Sequence, residues 1–380
     1  MNPQLNPLLK PLTLRGRTLA NRVVMAPMSR YASPAGVPGS DVADYYGRRA
    51  ATGIGLIITE GVAIPHAGAV DHPDVPHLFG DTALQGWGQV VAQVHAAGGM
   101  IWPQLWHQGP MWNVEHGGRV GEAMRPSGIW GPADGTISIP VQDRAASLAE
   151  TRPMRDEDIQ DIIDAYALSA RHAVALGFDG IAIHGAHGYL IDSFMWAYTN
   201  RRRDRWGGDA RARTEFGAAV VRAIRHEIGD DLPIALRFSQ FKMQDYRAVL
   251  AETPKALGDL LIPLADAGVD LFDASQRFFD TPAFPDSSLN LAGWAKILTG
   301  KASMTVGGIG LDKSRGSARH IDDSQASVNN LPRVVERFER GEFDLVAVGR
   351  SLLNDAKWFT KVCAGETFDP FDPENLKRLA

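Results

Sequence analysis

Only one cysteine, Cys363, occurs in 380 residues, and that scarcity removes several classes of protein at once. A single thiol makes no intrachain disulfide, holds no cysteine-ligated iron–sulfur cluster and builds no cysteine-only zinc site. It falls in a stretch that reads as a C-terminal helix, where a buried thiol behaves as a small apolar residue. Surplus charge is lacking too: a net charge of −5 gives no grip on nucleic acid or anionic lipid. No apolar run reaches roughly 18 residues, so no membrane-spanning helix is expected. The opening MNPQLNPLLKPLTL has no basic start followed by an apolar run, and no secretory signal is expected from it. A cytoplasmic protein with a small-molecule substrate, monomeric or homo-oligomeric, is the expectation. Nor does a GxGxxG follow an early strand, which disfavours a doubly wound open sheet.

What is present has a strong rhythm. Apolar, β-branched runs recur at VVMAP (23–27), GLIITEG (55–61), MIWPQLW (100–106) and GIAIHGA (180–186). They continue at PIALRFS (233–239), DLFDAS (270–275), SMTVGG (303–308) and LVAVGR (345–350). Continuous apolar runs suit strands buried on both faces, as in a parallel sheet. Helical patterns lie between several of them. Leu84, Trp87, Val90, Val91 and Val94 mark one face of 82–97, and Ile159, Ile162, Ile163, Tyr166, Ala170 and Val174 one face of 156–176. AVALGFDG and LADAGVD each place a glycine just past a helix and then start a strand. Eight strands alternating with helices predict an α/β fold of the (β/α)8 barrel type, as a single domain over residues 1–380. Two additions are expected: an N-terminal hairpin turning at Arg15-Gly16 and closing the barrel's bottom, and a Gly/Pro-rich excursion over 107–155 after strand three that would serve as lid or pocket wall. A polar loop over 309–327 follows strand seven.

Chemistry in such barrels sits at the C-terminal ends of the strands. Strand one ends in Pro27-Met28-Ser29, strand two in Glu60-Gly61, and strand three in Gln104, Leu105, Trp106 and His107. Strand four delivers His184 and His187, strand five Arg237, strand seven Gly307-Gly308 and strand eight Gly349-Arg350. So many polar or small strand ends are hard to read as packing alone. Bare backbone amides at the glycines and the Arg350 fork suit a phosphate, although glycine also ends strands for turn reasons. Gln104 offers both donor and acceptor. Arg237 at the end of an apolar strand needs an anionic partner, either a ligand or an internal Asp or Glu.

The stretch IHGAHGYLIDSF (183–194) is open to two chemical readings and to a third in which a histidine is purely structural. His184 and His187 could ligate a metal, with Asp273, His107 or Glu60 completing the set, since zinc needs at least three protein ligands. They could equally form a hydrogen-bonding clamp. Residues three apart point to opposite faces of a strand, so His187 must lie in a turn for the two to converge.

In this order, NRVVMAPMSR, PQLWHQG, HGAHGYLIDSFMW followed by TNRRRDRWGG, ALRFS, VGGIG and AVGR resemble the old yellow enzyme family of flavin-dependent ene-reductases. The resemblance runs from Leu8 to about residue 360 and implies a (β/α)8 barrel holding FMN non-covalently at the strands' C-terminal face. By that resemblance Ala26, Pro27, Met28 and Ser29 lie along the flavin, with Ser29 near its C4 carbonyl. Gly61 and Gln104 contact the ring and Arg237 its N1/C2-oxygen edge. Gly307, Gly308, Gly349 and Arg350 hold the phosphate, and Trp106 shapes the pocket. NAD(P)H reduces FMN, and an α,β-unsaturated carbonyl or nitro compound then accepts hydride from flavin N5 at its β-carbon. His184 and His187 hydrogen-bond the oxygen that gains negative charge, and Tyr189 protonates the α-carbon.

Departures from the family pattern are visible. Ser29 stands where many members carry Thr or Cys. The loop HAGAVDHPDVPH after strand two lacks a tyrosine common there. A single cysteine excludes the larger members with an iron–sulfur cluster and a second flavin domain. The run NRRRDRWGGDARAR, interleaved with Asp and Gly, reads as a salt-bridged connector opening a helix rather than a nucleic-acid patch. Lys313, Arg315 and Arg319 read as a solvated loop, or as contacts to a nicotinamide nucleotide phosphate. Other readings remain: the same flavin chemistry on nitrate esters, nitroaromatics or quinones, a metal-dependent barrel hydrolase using His184 and His187, or a catalytically idle flavin-binding protein.

Overall fold

Apolar strands need cover on both faces, and this chain supplies it by closing its sheet on itself. The computed structural model describes residues 3–112, 122–137, 144–312 and 327–379. Eight parallel strands form a closed barrel in chain order: β1 Val23–Met25, β2 Leu56–Ala63, β3 Ile101–Trp106, β4 Ile181–His184, β5 Ile234–Ser239, β6 Leu271–Ser275, β7 Ala302–Val306 and β8 Leu345–Val348, with β8 paired to β1. Each lies within two residues of its expected bounds. Outside them run α1 Ser40–Ala50, α2 Asp81–Ala96, α3 Asp156–Ala175, α4 Glu215–Ile228, α5 Pro254–Ala267, α6 Leu291–Thr299 and α7 Leu331–Glu339. Two short helices, Arg350–Asn354 and Trp358–Ala364, come after β8.

The helix faces agree with the sequence, with one correction. Trp87, Val90, Val91 and Val94 of α2 are buried and Leu84 is half-buried. On α3 the stripe from Ile159 to Ala170 is buried, but Val174 is 41% exposed. The helical repeat carries the stripe to Ala173 instead, which is fully buried. Gly177 (φ 83°) and Gly268 (φ 123°) come just after α3 and α5 in conformations that L side chains rarely adopt, and they turn the chain into β4 and β6. Asp179, Asp270 and Asp344, each just before an even-numbered strand, accept the amides of Ile101, Ile234 and Ser303 at the start of the preceding one. This repeated device pins the barrel's N-terminal end.

The hairpin pairs Leu12–Leu14 with Arg17–Leu19 through a turn at Arg15 and Gly16. Its Leu12 and Leu14 pack on the barrel's interior layer and so close the bottom. That layer is Val24, Ile58, Trp102, Ala182, Ala235, Leu271, Met304 and Ala347. Cys363 lies half-buried in the Trp358–Ala364 helix, packed against the core rather than sealed within it. The basic connector is laced by ion pairs as expected: Arg202–Asp204 at 2.5 Å and Arg205–Asp156 at 3.8 Å. Within the excursion, Arg125 donates to the carbonyls of Ser147 and Ala149. Residues 113–121 and 138–143, and the loop segment 313–326 with Lys313, Arg315 and Arg319, lie outside the described residues. No described helix is long and apolar enough to cross a membrane.

Candidate active site

Side chains two apart on a strand share a face. One step beyond the interior layer, toward the C-terminal mouth, therefore stand Ala26, Gln104, His184, Arg237, Asp273, Val306 and Gly349. On β2 the register shifts: Ile58 faces Trp102, but Gly61 rather than Glu60 faces Gln104. A β-bulge of this kind re-aims the side chains beyond it. A Cβ added at Gly61 would lie 2.6 Å from the Trp106 ring, so this glycine lets Trp106 lie down against β2. The mouth thus gathers Ala26, Gly61, Gln104, Trp106, His184, Arg237 and Gly349.

Several polar atoms of this layer are buried without a protein partner: Gln104 Nε2, Trp106 Nε1, Arg237 Nη2 and Asp273 Oδ1. Each such atom is costly in a fold that offers it nothing, and together they form a donor-and-acceptor set. Arg237 finds its anionic partner within the protein, since its Nε donates to Asp273 Oδ2 at 2.6 Å, with both side chains buried.

His187 lies in a turn, at φ 65°, and this brings the histidines together with ring centroids 5.1 Å apart and edge-on. Tyr189 stands edge-on to His184 at 4.8 Å and to Trp106 at 5.0 Å. His184 Nδ1 accepts the Ala186 amide at 3.3 Å, so its Nε2 carries the proton. Burial, reinforced by Arg237, pushes the His184 imidazole down to about 3, and burial likewise lowers His187. Both imidazoles are therefore neutral, and His184 offers its Nε2–H as a donor. Burial raises the Tyr189 phenol above its ordinary range, keeping its proton in place. His187 Nε2 hydrogen-bonds Ser275 Oγ at 2.8 Å, and its amide donates to Ser239 Oγ at 2.9 Å.

The metal candidates are engaged elsewhere. Asp273 holds Arg237, His107 Nε2 meets His66 Nδ1 at 3.0 Å, and Glu60 accepts the amides of Arg30 and Tyr31. Among the described residues no three His, Cys, Asp or Glu side chains cluster in a way that could hold a metal ion.

Glu60 ties the segment after β1 to β2, and burial pushes its carboxyl up to about 7 from 4.5. The folded protein therefore holds that proton more tightly than the unfolded chain. Its contribution to stability is present below about 4.5 and is lost as pH rises through about 7. Glu60→Gln keeps an oxygen for both amides. Relative to this variant, the wild type should lose about 3 kcal/mol between pH 4 and pH 8, at 1.36 kcal/mol per pKa unit. Urea unfolding at both pH values reads this directly, and a difference that stays constant with pH would refute it.

At the β7–β8 side, Gly307 (φ 123°) and Gly308 (φ 65°) have steric reasons of their own. A Cβ at Gly307 would meet the backbone of Gln276 and Arg277, and one at Gly308 the Phe278 ring. Arg350, next to Gly349, is half-buried, and its guanidinium is pulled below its ordinary range by burial and then by the nearby Arg277. Two guanidiniums held close suit an anion. Met28 packs beside Gly349, Pro27 is half-buried, and Ser29 is exposed at the rim.

Sequence reasoning missed Ser275, Arg277 and the supports of the 186–189 turn. Lys242 Nζ donates to Asp192 Oδ1 at 2.8 Å, both side chains fully buried, and Asp192 Oδ2 accepts the Gly188 amide. Gln244 Nε2 donates to the Gly188 carbonyl at 2.9 Å. The available signal was a lysine and two glutamines inside SQFKMQDY, directly after β5.

This is a closed parallel barrel whose mouth gathers buried polar side chains at the C-terminal ends of its strands. The model of the NADH:flavin oxidoreductase / NADH oxidase family matches residues 7–315, and the chain belongs to that family, the old yellow enzymes. It is 37% identical over 257 residues to 12-oxophytodienoate reductase 2 of Arabidopsis thaliana, covering 66% of this chain and 65% of that protein. It is 32% identical over 256 residues to 12-oxophytodienoate reductase 1 of Oryza sativa subsp. japonica, covering 67% of this chain and 64% of that protein. The match thus spans just under two thirds of each relative. Morphinone reductase superposes with a TM-score of 0.76 at 25% identity, over 97% of this chain and 92% of the other. It has also been solved in complex with tetrahydroNAD.

Proposed function

We propose that this flavin oxidoreductase binds FMN in the barrel mouth and uses NAD(P)H to reduce the activated C=C bond of α,β-unsaturated carbonyl or nitro compounds. The observation that carries this reading is the edge-on cluster of His184, His187 and Tyr189 above buried polar atoms that lack protein partners. The residues present fit the cofactor. Ala26, Pro27, Met28 and Ser29 would flank it, and Gly61, Gln104 and Arg237 would meet its ring. Gly307, Gly308, Gly349 and Arg350, with Arg277, would take its phosphate. When bound, FMN supplies the hydride that NAD(P)H provides.

The protein's own residues do the rest. Neutral His184 and His187 donate to the substrate oxygen as it gains negative charge, and in a dry site such a donor is typically worth about 3 kcal/mol. Trp106 walls the pocket and packs edge-on to Tyr189, whose retained proton goes to the α-carbon. The relatives' names, 12-oxophytodienoate reductase and morphinone reductase, and the nicotinamide complex of the latter, agree with a nicotinamide-driven reduction of conjugated ketones.

The purified protein should be yellow and should bleach on anaerobic addition of NADH or NADPH. Adding cyclohexenone should restore the colour and yield cyclohexanone. Colourless protein carrying stoichiometric zinc would refute the cofactor reading in favour of a metal hydrolase. Yellow protein that stays bleached with enones would refute the substrate class.

A further inference from the structure

Arg237 and Asp273 stand side by side on β5 and β6, in direct register, and both reach the same level of the mouth. One atom of each is left over from the pair: Arg237 Nη2 and Asp273 Oδ1 are buried and have no protein partner. The 2.6 Å contact leaves a pair of opposite charges where a lone guanidinium would present a full positive one. Their exposures of 8% and 2% mean that water does little to screen either charge.

We propose that Asp273 is a positioning and charge-compensating residue that makes the bound flavin harder to reduce. The inference rests on the FMN reading above. Two-electron reduction with uptake of one proton at N5 leaves one negative charge on the N1/C2-oxygen edge. A lone arginine stabilises that charge strongly. An arginine already neutralised by a carboxylate stabilises it less, because at any distance the attraction of one partner is offset by repulsion from the other. The compensated site therefore lowers the reduction potential and strengthens the flavin as a donor toward weakly activated acceptors. Asp273 also fixes the Arg237 fork by taking its Nε at 2.6 Å.

The test is Asp273→Asn, which keeps size and hydrogen bonding but removes the charge. Flavin potentials of wild type and variant are measured at pH 8 by anaerobic equilibration with a reference dye. The variant should be more positive by at least the equivalent of a tenfold change in equilibrium constant, about 30 mV for a two-electron couple. A second measurement uses sulfite, whose sulfur lone pair forms a bond to flavin N5 and pushes a pair of electrons onto the same N1/C2-oxygen edge. Sulfite should bind the variant at least tenfold more tightly. A structural role alone would move neither quantity in this direction.

If Asp273→Asn does not fold or load flavin, Asp273→Ser is read in the same way. A yellow variant with unchanged or more negative potential and unchanged sulfite affinity overturns the inference while leaving the cofactor reading intact. A colourless wild-type protein overturns that reading, and the inference with it.

Discussion

Tyr189→Phe should slow reduction of cyclohexenone by about 10²- to 10⁴-fold, the usual contribution of a positioned general acid, while flavin bleaching by NAD(P)H stays within a factor of about two. Geometry motivates the split. The Tyr189 ring is fixed edge-on to His184 and Trp106, at 4.8 Å and 5.0 Å, directly before the short helix Leu190–Met195. Burial raises its phenol, so the proton stays available across the neutral range. Phenylalanine preserves both ring contacts and deletes only the hydroxyl, leaving the edge-on His184–His187 pair in place. Stopped-flow traces of the reductive and oxidative half-reactions separate the two rates. If the oxidative rate is untouched, Tyr189 is not the proton donor; if both rates fall together, the substitution has disturbed the pocket rather than the proton.

Lys242→Met should destabilise the protein by about 3–5 kcal/mol, because it strands a buried carboxylate without its partner. Lys242 and Asp192 are both fully buried and 2.8 Å apart, and Asp192 also receives the Gly188 amide. The turn they hold strains His187, at φ 65°, while Gly188 takes φ 83° without that cost. His187 is further anchored by Met243, whose amide donates to its carbonyl at 3.0 Å. The double variant Lys242→Met with Asp192→Asn removes both charges and should recover a substantial part of the loss. Urea unfolding of the single and double variants measures this. A single-variant loss under about 1 kcal/mol would show that the pair is dispensable, and a double variant no more stable than the single would show that the stranded charge is not the cause.

These two residues differ in how readable they are. Tyr189 sits in a motif whose resemblance to a known family names it directly. Lys242 lies in SQFKMQDYRAVL, a stretch that carries no recognisable motif, and its partner is 50 residues away in sequence. No local pattern links them; only folding of the segment after β5 over the turn after β4 does. Arg237 is intermediate. A cation at the end of an apolar strand demands an anion whatever the fold, but the candidates were a ligand or an internal acid. The register of β5 against β6 selects Asp273, the same residue that had stood as a metal candidate.

By itself, the sequence determined the eight strands, the helices between them and the hairpin at Arg15-Gly16, because apolar runs, helical periodicity and glycine turns act over short stretches of chain. It also determined which strand ends carry polar groups, since two-residue periodicity on a strand is a local rule. The tertiary structure alone decided what those groups do to one another. The bulge that sets Gly61 against Gln104, the positive φ that swings His187 onto His184, the Ser275 hydroxyl on His187, and the Arg237–Asp273 and Lys242–Asp192 pairs all depend on the register between neighbouring strands and on the packing of the loops above them. Register is a relation between distant segments. Its energy comes from burying whole strands together, and no single stretch of the chain contains it.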